Sequence, residues 1–293
     1  MKERGSGMNQ GQSALALLGG ARAVQAVQAD DAIFRWPIVT DEDEQAVLEV
    51  LRRGAMSGTD VTKQFEQEFA AWQGRTYALG CNNGTSALHC AMFGRGIGVG
   101  DEIICPSIAY WASALQVFAL GGTVVFAEVD PDTLCIDPAD IEHRIGERTK
   151  AIMVVHYLGH PADMDPILRI AQRYRLKVIE DVSHAHGARY QERMVGSFGD
   201  VAAMSLMSGK SLAVGEAGML VTDDRAIYER AIAFGHYERY DDAIQDPDLR
   251  AYRRLPLGGY KYRMHQLSSA VGRVQLRHYD ERMADIDRAM NHF

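Results

Sequence analysis

The sequence predicts an α/β domain with a central sheet buried on both faces. Three observations predict it. Six short runs are apolar throughout instead of alternating: Glu102-Ile-Ile-Cys105, Thr123-Val-Val-Phe-Ala127, Ala151-Ile-Met-Val-Val155, Lys177-Val-Ile-Glu180, Val201-Ala-Ala-Met-Ser205 and Gly218-Met-Leu-Val-Thr222. A strand is apolar on both sides only when both faces are covered. Helix-length segments separate most of these runs, the pattern of strands joined by crossovers. With 293 residues and 47% hydrophobic content, the chain can also bury a large core, enough for one large domain plus further pieces.

In chain order, a polar, Gly- and Gln-bearing leader comes first. Thr40 followed by Asp41-Glu-Asp43 reads as an N-cap with acidic first-turn residues, and Val47, Val50 and Leu51 recur at helical spacing until Gly54. A second helix is predicted from about Val61 to Trp72, burying Phe65, Phe69 and Trp72. The alternation of strands and helices follows. The Tyr- and Asp-rich segment from His236 to Arg254 reads as a long surface loop, and the pattern from His265 to the end as one helix. There is no internal repeat or low-complexity tract.

Two residues carry chemistry. Lys210 sits in the Gly- and Ser-rich stretch Ser205-Leu-Met-Ser-Gly-Lys210, and Asp181 ends the run Leu176-Lys-Val-Ile-Glu-Asp181, at the carboxyl edge where open parallel sheets bind ligands. A lysine amine that can condense with an aldehyde and a carboxylate that can keep a pyridine nitrogen protonated are what pyridoxal 5′-phosphate (PLP) chemistry needs. Asn83-Gly84-Thr85-Ser86 precedes a helical pattern and offers amides and hydroxyls to a phosphate, with Gly84 allowing close backbone approach. Alone, each element has an ordinary reading as a solvated lysine, a strand-end acid or a capped turn. Their order along one chain favours the cofactor.

The balance of 31 basic against 39 acidic residues gives a net charge of -8 with no basic run, which argues against nucleic acid as a partner and for a small-molecule ligand. Cys81, Cys90, Cys105 and Cys135 show no metal or redox spacing and read as reduced core thiols of a cytoplasmic protein; no metal site is expected. Lys2 and Arg4 precede Ala14-Leu-Ala-Leu-Leu18, but Gly19-Gly20 and Arg22 break that run too early for a signal peptide. No segment is long enough to span a membrane.

Six ordered motifs carry a family resemblance: Asn83-Gly-Thr-Ser-Ala-Leu88, Cys105-Pro-Ser107, His156-Tyr-Leu-Gly159, Glu180-Asp-Val-Ser-His-Ala-His-Gly187, Lys210 with Gly215-Glu-Ala-Gly218, and Gly259-Tyr-Lys-Tyr-Arg-Met264. From about Phe34 to Gln275 the chain resembles the DegT/StrS family of PLP-dependent sugar and cyclitol aminotransferases. The resemblance implies the PLP-dependent transferase type I fold, with a mostly parallel, seven-stranded-type sheet flanked by helices. It implies that Thr85 and Ser205 give hydroxyls to the phosphate and that Tyr110, or its neighbour Trp111, lies over the pyridine ring. It places His184 near the phenolic oxygen, and His156 and His186 on the substrate side. Lys261 stands where relatives commonly carry an asparagine that reaches the partner subunit's phosphate, so a homodimer with shared sites is implied. Gly218 follows Ala217 where many relatives have a second glycine. The leader's Leu15-Ala-Leu-Leu-Gly-Gly20 with Trp36-Pro37 is similar to the cyclitol and aminobenzoate-forming branches.

The implied organisation is an N-terminal arm over residues 1–36, a large PLP-binding domain over 37–255, and a linker helix over 256–293 that starts a largely missing C-terminal domain. The implied activity is transfer of an amino group from glutamate or glutamine to a keto sugar or keto cyclitol. Two rivals remain open: a PLP-dependent sugar dehydratase, whose known members replace the lysine with histidine, and a non-catalytic regulatory or scaffold homologue.

Overall fold

The computed structural model describes residues 35–252, 255 and 257–292. Nearly all of the arm expected over residues 1–36, including the Leu15–Gly20 motif, lies outside the described residues. The chain divides into two units, residues 1–38 and 39–293, and the second carries all that follows.

Helix α1 (Asp41–Arg52) starts at Thr40, whose backbone N–H and hydroxyl both reach the Asp43 carboxylate, the capping box that the Thr-Asp-Glu-Asp run predicts. Helix α2 (Asp60–Gln73) ends at Gly74 in the left-handed conformation. Strand β1 (Tyr77–Cys81), helix α3 (Gly84–Gly94), strand β2 (Glu102–Pro106), helix α4 (Trp111–Ala119) and strand β3 (Thr123–Ala127) come next. They are followed by α5 (Pro138–Arg144), β4 (Thr149–Val155), α6 (Met164–Tyr174) and β5 (Lys177–Asp181). A small hairpin of β6 (Arg189–Tyr190) and β7 (Arg193–Met194) precedes β8 (Val201–Ser205), β9 (Gly218–Thr222) and α7 (Arg225–Gly235).

The main sheet has seven strands in the order β1-β9-β8-β5-β4-β2-β3. Strands β3, β2, β4, β5 and β8 pair in parallel, and β9 runs antiparallel to both β8 and β1. Alternate residues feed different cores. Ile103, Met153 and Ile179 pack on the α3, α4 and α7 side, while Ile104, Ile152 and Val178 pack against α5 and α6. Six of the strands lie where the apolar runs predict them. The seventh, β1, escapes the pattern because Ala78 and Gly80 dilute its β-forming residues.

Two sequence expectations are corrected. The segment from His236 to Arg254 is not a surface loop where it is described. It contains a short 3₁₀ turn, Tyr237–Arg239, then α8 (Tyr240–Ala243) and α9 (Pro247–Arg250). His236 and Arg239 are buried, and Arg239 holds the Glu66 carboxylate of α2 through contacts of 2.8 and 3.0 Å while Glu66 also accepts Gly80 N–H. This ion pair draws a polar segment inward. Replacing Arg239 with Met strands a buried carboxylate and is expected to destabilise the fold by about 3–5 kcal/mol. Urea unfolding checks this, and replacing Glu66 with Gln in the same chain should recover much of the loss.

The second correction concerns the C-terminal helix, which is two helices. Helix α10 (Gln266–Arg277) stops at His278 (φ -97°, ψ 0°), and α11 (Tyr279–Met290) starts there. The break turns Tyr279 inward, edge-on to Trp72 at 5.3 Å. Periodicity alone hides such a break, since both halves are amphipathic.

Candidate active site

Parallel strands deliver their carboxyl ends to one edge of the sheet, so Val155, Asp181 and Ser205 gather there. Strand β9 runs the other way and therefore brings its first residue, Gly218, to the same edge, paired with Cys81 on one side and Ser205 on the other. A cavity of about 350 Å³ opens at this edge.

One wall is the start of α3. Asn83 Oδ1 accepts Ser86 N–H at 2.8 Å, and Asn83 O accepts Ala87 N–H at 3.2 Å. These bonds leave the Gly84 and Thr85 amides outside the helix's own ladder, at its positive end. Both residues border the cavity. The approach is too close for side chains: a Cβ on Gly84 would lie 2.6 Å from Ser205 Cβ, and one on Gly218 would lie 2.3 Å from Asn83 O.

Asp181 forms the floor at 4% exposure. Its Oδ2 accepts the hydroxyl of Ser113, a fully buried residue of α4, at 2.6 Å, and its Oδ1 accepts Ser183 N–H at 3.0 Å. Both oxygens are thus held in place. Lys210 lies in a turn closed by its own N–H to Met207 O at 2.9 Å. Burial lowers its pKa below that of an ordinary lysine, and attraction to Asp181 opposes the drop. Burial also lowers the His184 pKa, helped by repulsion from Lys210 and opposed by Asp181. Because His184 Nδ1 accepts Leu158 N–H at 3.4 Å, the neutral ring carries its proton on Nε2. Tyr110, 56% exposed and N-cap of α4, stands at the cavity mouth beside Trp111, which does not border it.

The cavity therefore gathers Gly84, Thr85, Tyr110, Asp181, His184, Ser205 and Lys210. Three other expected residues stay apart. His156, expected on the substrate side, is fully buried, with Nε2 3.1 Å from Glu180 Oε2 and Nδ1 accepting Ala162 N–H. Val155 borders the cavity, so His156, the next residue, turns away from it. Burial would raise the Glu180 pKa, but His156 and the Gly199 and Gly196 amides outweigh it and hold the carboxyl low. His186, also expected on the substrate side, is buried against Ser211 and does not border the cavity. Lys261 is exposed and away from the cavity of its own chain.

Sequence reasoning missed Ser113, Ser183, Met207 and Glu216, all of which border the cavity. A signal existed for Ser113: a hydroxyl interrupting the apolar Trp111-Ala-Ser-Ala-Leu115, three residues after Tyr110. Among the described residues no His, Cys, Asp and Glu cluster could hold a metal ion.

Comparison with known proteins gives a consistent result. The chain is 38% identical over 255 residues to the spore coat polysaccharide biosynthesis protein SpsC of Bacillus subtilis, covering 85% of this chain and 64% of that protein. It is 42% identical over 229 residues to a GDP-perosamine synthase of Caulobacter vibrioides, covering 78% of this chain and 59% of the relative. The chain thus spans less than two thirds of the length of these relatives. An aminotransferase structure from Psychrobacter cryohalolentis superposes with a TM-score of 0.75 at 35% identity, covering 83% of this chain and 63% of that one. A family model matches residues 37–293, and the chain belongs to the DegT/DnrJ/EryC1/StrS aminotransferase family.

Proposed function

We propose that the chain provides the PLP site of an aminotransferase that moves an amino group from glutamate or glutamine to a keto sugar, nucleotide-linked, or a keto cyclitol, in amino-sugar, polysaccharide or secondary-metabolite biosynthesis. The observation that carries it is one cavity holding Lys210, Asp181 and an open helix N-terminus. The residues fit the cofactor. The Gly84 and Thr85 amides, with the Thr85 and Ser205 hydroxyls, suit a phosphate, and the contact of Gly84 with Ser205 leaves no room for a side chain to block it.

Bound there, PLP supplies an aldehyde that condenses with amines and a ring that accepts electrons from the neighbouring C–H bond. Asp181, fixed by Ser113 and Ser183, holds a proton at the pyridine nitrogen. Lys210, with its lowered pKa, keeps more of its neutral amine at neutral pH. It acts first as nucleophile and then as the base that carries the substrate's Cα proton. His184 would offer Nε2–H to the phenolic oxygen, and Tyr110 would supply an apolar face to the ring. The test is to mix the chain with PLP, reduce with borohydride and map the labelled peptide. Label on any residue other than Lys210 overturns the reading.

The site also works as part of a homodimer in the cytoplasm. Ile108, Tyr110, Trp111, Leu115, Phe118 and Phe126 are each at least 36% exposed, an apolar concentration that a partner subunit would cover. Four buried free cysteines fit a reducing compartment, and among the described residues no helix is long and apolar enough to cross a membrane. In the dimer Lys261 reaches the partner subunit's phosphate. Lys261→Ala is expected to weaken PLP binding about tenfold, the scale of one charge-assisted hydrogen bond. A mixed dimer of Lys261→Ala and Lys210→Ala subunits tests action in trans, and unchanged affinity in the Lys261→Ala homodimer would make it a surface residue.

A further inference from the structure

The turn that carries Lys210 is held from behind by side chains that do not border the cavity. Its two arms are joined by backbone bonds: Leu206 N–H to Ala217 O, Ser208 N–H to Gly215 O and Val214 N–H to Leu206 O. Ser211, directly after Lys210, is held by its hydroxyl, which lies 3.2 Å from His186 Nδ1 and 3.0 Å from Tyr279 Oη. Tyr279, 3% exposed, donates its own hydroxyl proton to His186 O at 2.7 Å.

Counting protons assigns the direction of every bond. Tyr279 has one hydroxyl proton, already given to His186 O, so it accepts from Ser211. Ser211 has then given its proton and must accept from His186 Nδ1–H. The circuit closes: His186 Nδ1–H to Ser211, Ser211 to Tyr279, Tyr279 to the His186 carbonyl. It leaves Nε2 as the unprotonated nitrogen, buried and without a hydrogen bond of ordinary geometry among the described residues. A neutral ring is what this requires. Burial pushes the His186 pKa down to about 4, with the Ser205 backbone opposing and Lys210 and His184 adding to the drop.

We propose that His186, Ser211 and Tyr279 are positioning residues for Lys210: held on both sides, Ser211 fixes the point from which the lysine side chain enters the cavity. Tyr279 brings helix α11 into the site, although it lies 69 positions after Lys210 in the sequence. The inference rests on Lys210 being the residue that couples to PLP.

The test uses the whole chain and three variants. Tyr279→Phe removes two bonds of the circuit and keeps the ring packed on Trp72. Ser211→Ala removes two bonds at a partly exposed position where folding is least at risk. His186→Asn keeps a donor close to where Nδ1 stands. Stopped-flow absorbance gives the rate at which PLP couples to Lys210. Pyridoxine 5′-phosphate, which has no aldehyde, reports binding in the phosphate cradle alone. Coupling is expected to slow roughly tenfold or more in Tyr279→Phe and Ser211→Ala, the scale of a misplaced reacting group, and to stay close to wild type in His186→Asn. Pyridoxine phosphate affinity should not change, whereas a general loss of structure would lower both. Nitrogen-15 NMR of the PLP-free chain should find His186 protonated on Nδ1. Wild-type coupling rates in Tyr279→Phe and Ser211→Ala, parallel loss of pyridoxine phosphate binding, or an Nε2-protonated His186 would each overturn the proposal. If peptide mapping finds PLP on another residue, the reading of Lys210 fails, and the NMR result still decides whether the circuit exists.

Discussion

Lys210→Ala is expected to remove the visible absorbance that the chain gains on coupling to PLP and to lower transamination by about 10,000-fold, the upper range for one proton-transferring group. The loss should be chemical, because Gly84, Thr85 and Ser205, proposed to hold the phosphate, belong to other elements. Pyridoxine 5′-phosphate should therefore bind Lys210→Ala as it binds wild type. An added small amine can take the lysine's place as the group that condenses with the aldehyde, but without the chain's own proton carrier turnover stays low. Wild-type turnover in the variant would end the assignment of Lys210.

Asp181→Asn is expected to have the second largest effect, about 1,000-fold on turnover. The amide is nearly isosteric, so its oxygen can still accept from Ser113 or Ser183, but it carries no charge to hold a proton on the pyridine nitrogen. The variant also makes a second, independent prediction. Attraction to Asp181 raises the Lys210 pKa against the effect of burial, so neutralising position 181 removes that opposing attraction and the Lys210 pKa falls further. Coupling to PLP, which needs the neutral amine, should then extend to lower pH than in wild type. The rate of PLP coupling across pH checks the direction of that shift. A profile that does not move, or that moves to higher pH, would show that Asp181 does not raise the Lys210 pKa.

The sequence made legible what depends on local pattern. Apolar strand runs located six of seven main-sheet strands, and the Thr40 and Asn83 caps located the starts of α1 and α3. Asp181 and Lys210 could be named because a strand end and a Gly- and Ser-rich turn are recognisable in one dimension. The rest depends on partners far apart in the chain. Ser113 matters through a carboxylate 68 positions away, and His156 is removed from the cavity by Glu180, which is the neighbour of Asp181 but faces the other side of the sheet. The segment after His236 reads as surface because its composition is polar, and only the buried Glu66 shows why Arg239 turns inward. Long-range charge pairing of this kind has no periodicity to detect.

The antiparallel course of β9 has a consequence for how the site assembles. Most neighbouring strands of the sheet are joined by crossovers, so Asp181 and the α3 N-terminus meet only after large loops have closed. Strands β8 and β9 are consecutive and antiparallel, with Ser205 opposite Gly218, so the segment bearing Lys210 is the loop of a long hairpin. Its ends meet at low sequence separation, and such contacts form fast compared with nonlocal strand pairing. The loop bearing Lys210 is therefore a local unit that can close early, while Asp181 and the α3 N-terminus reach it only with the completed sheet.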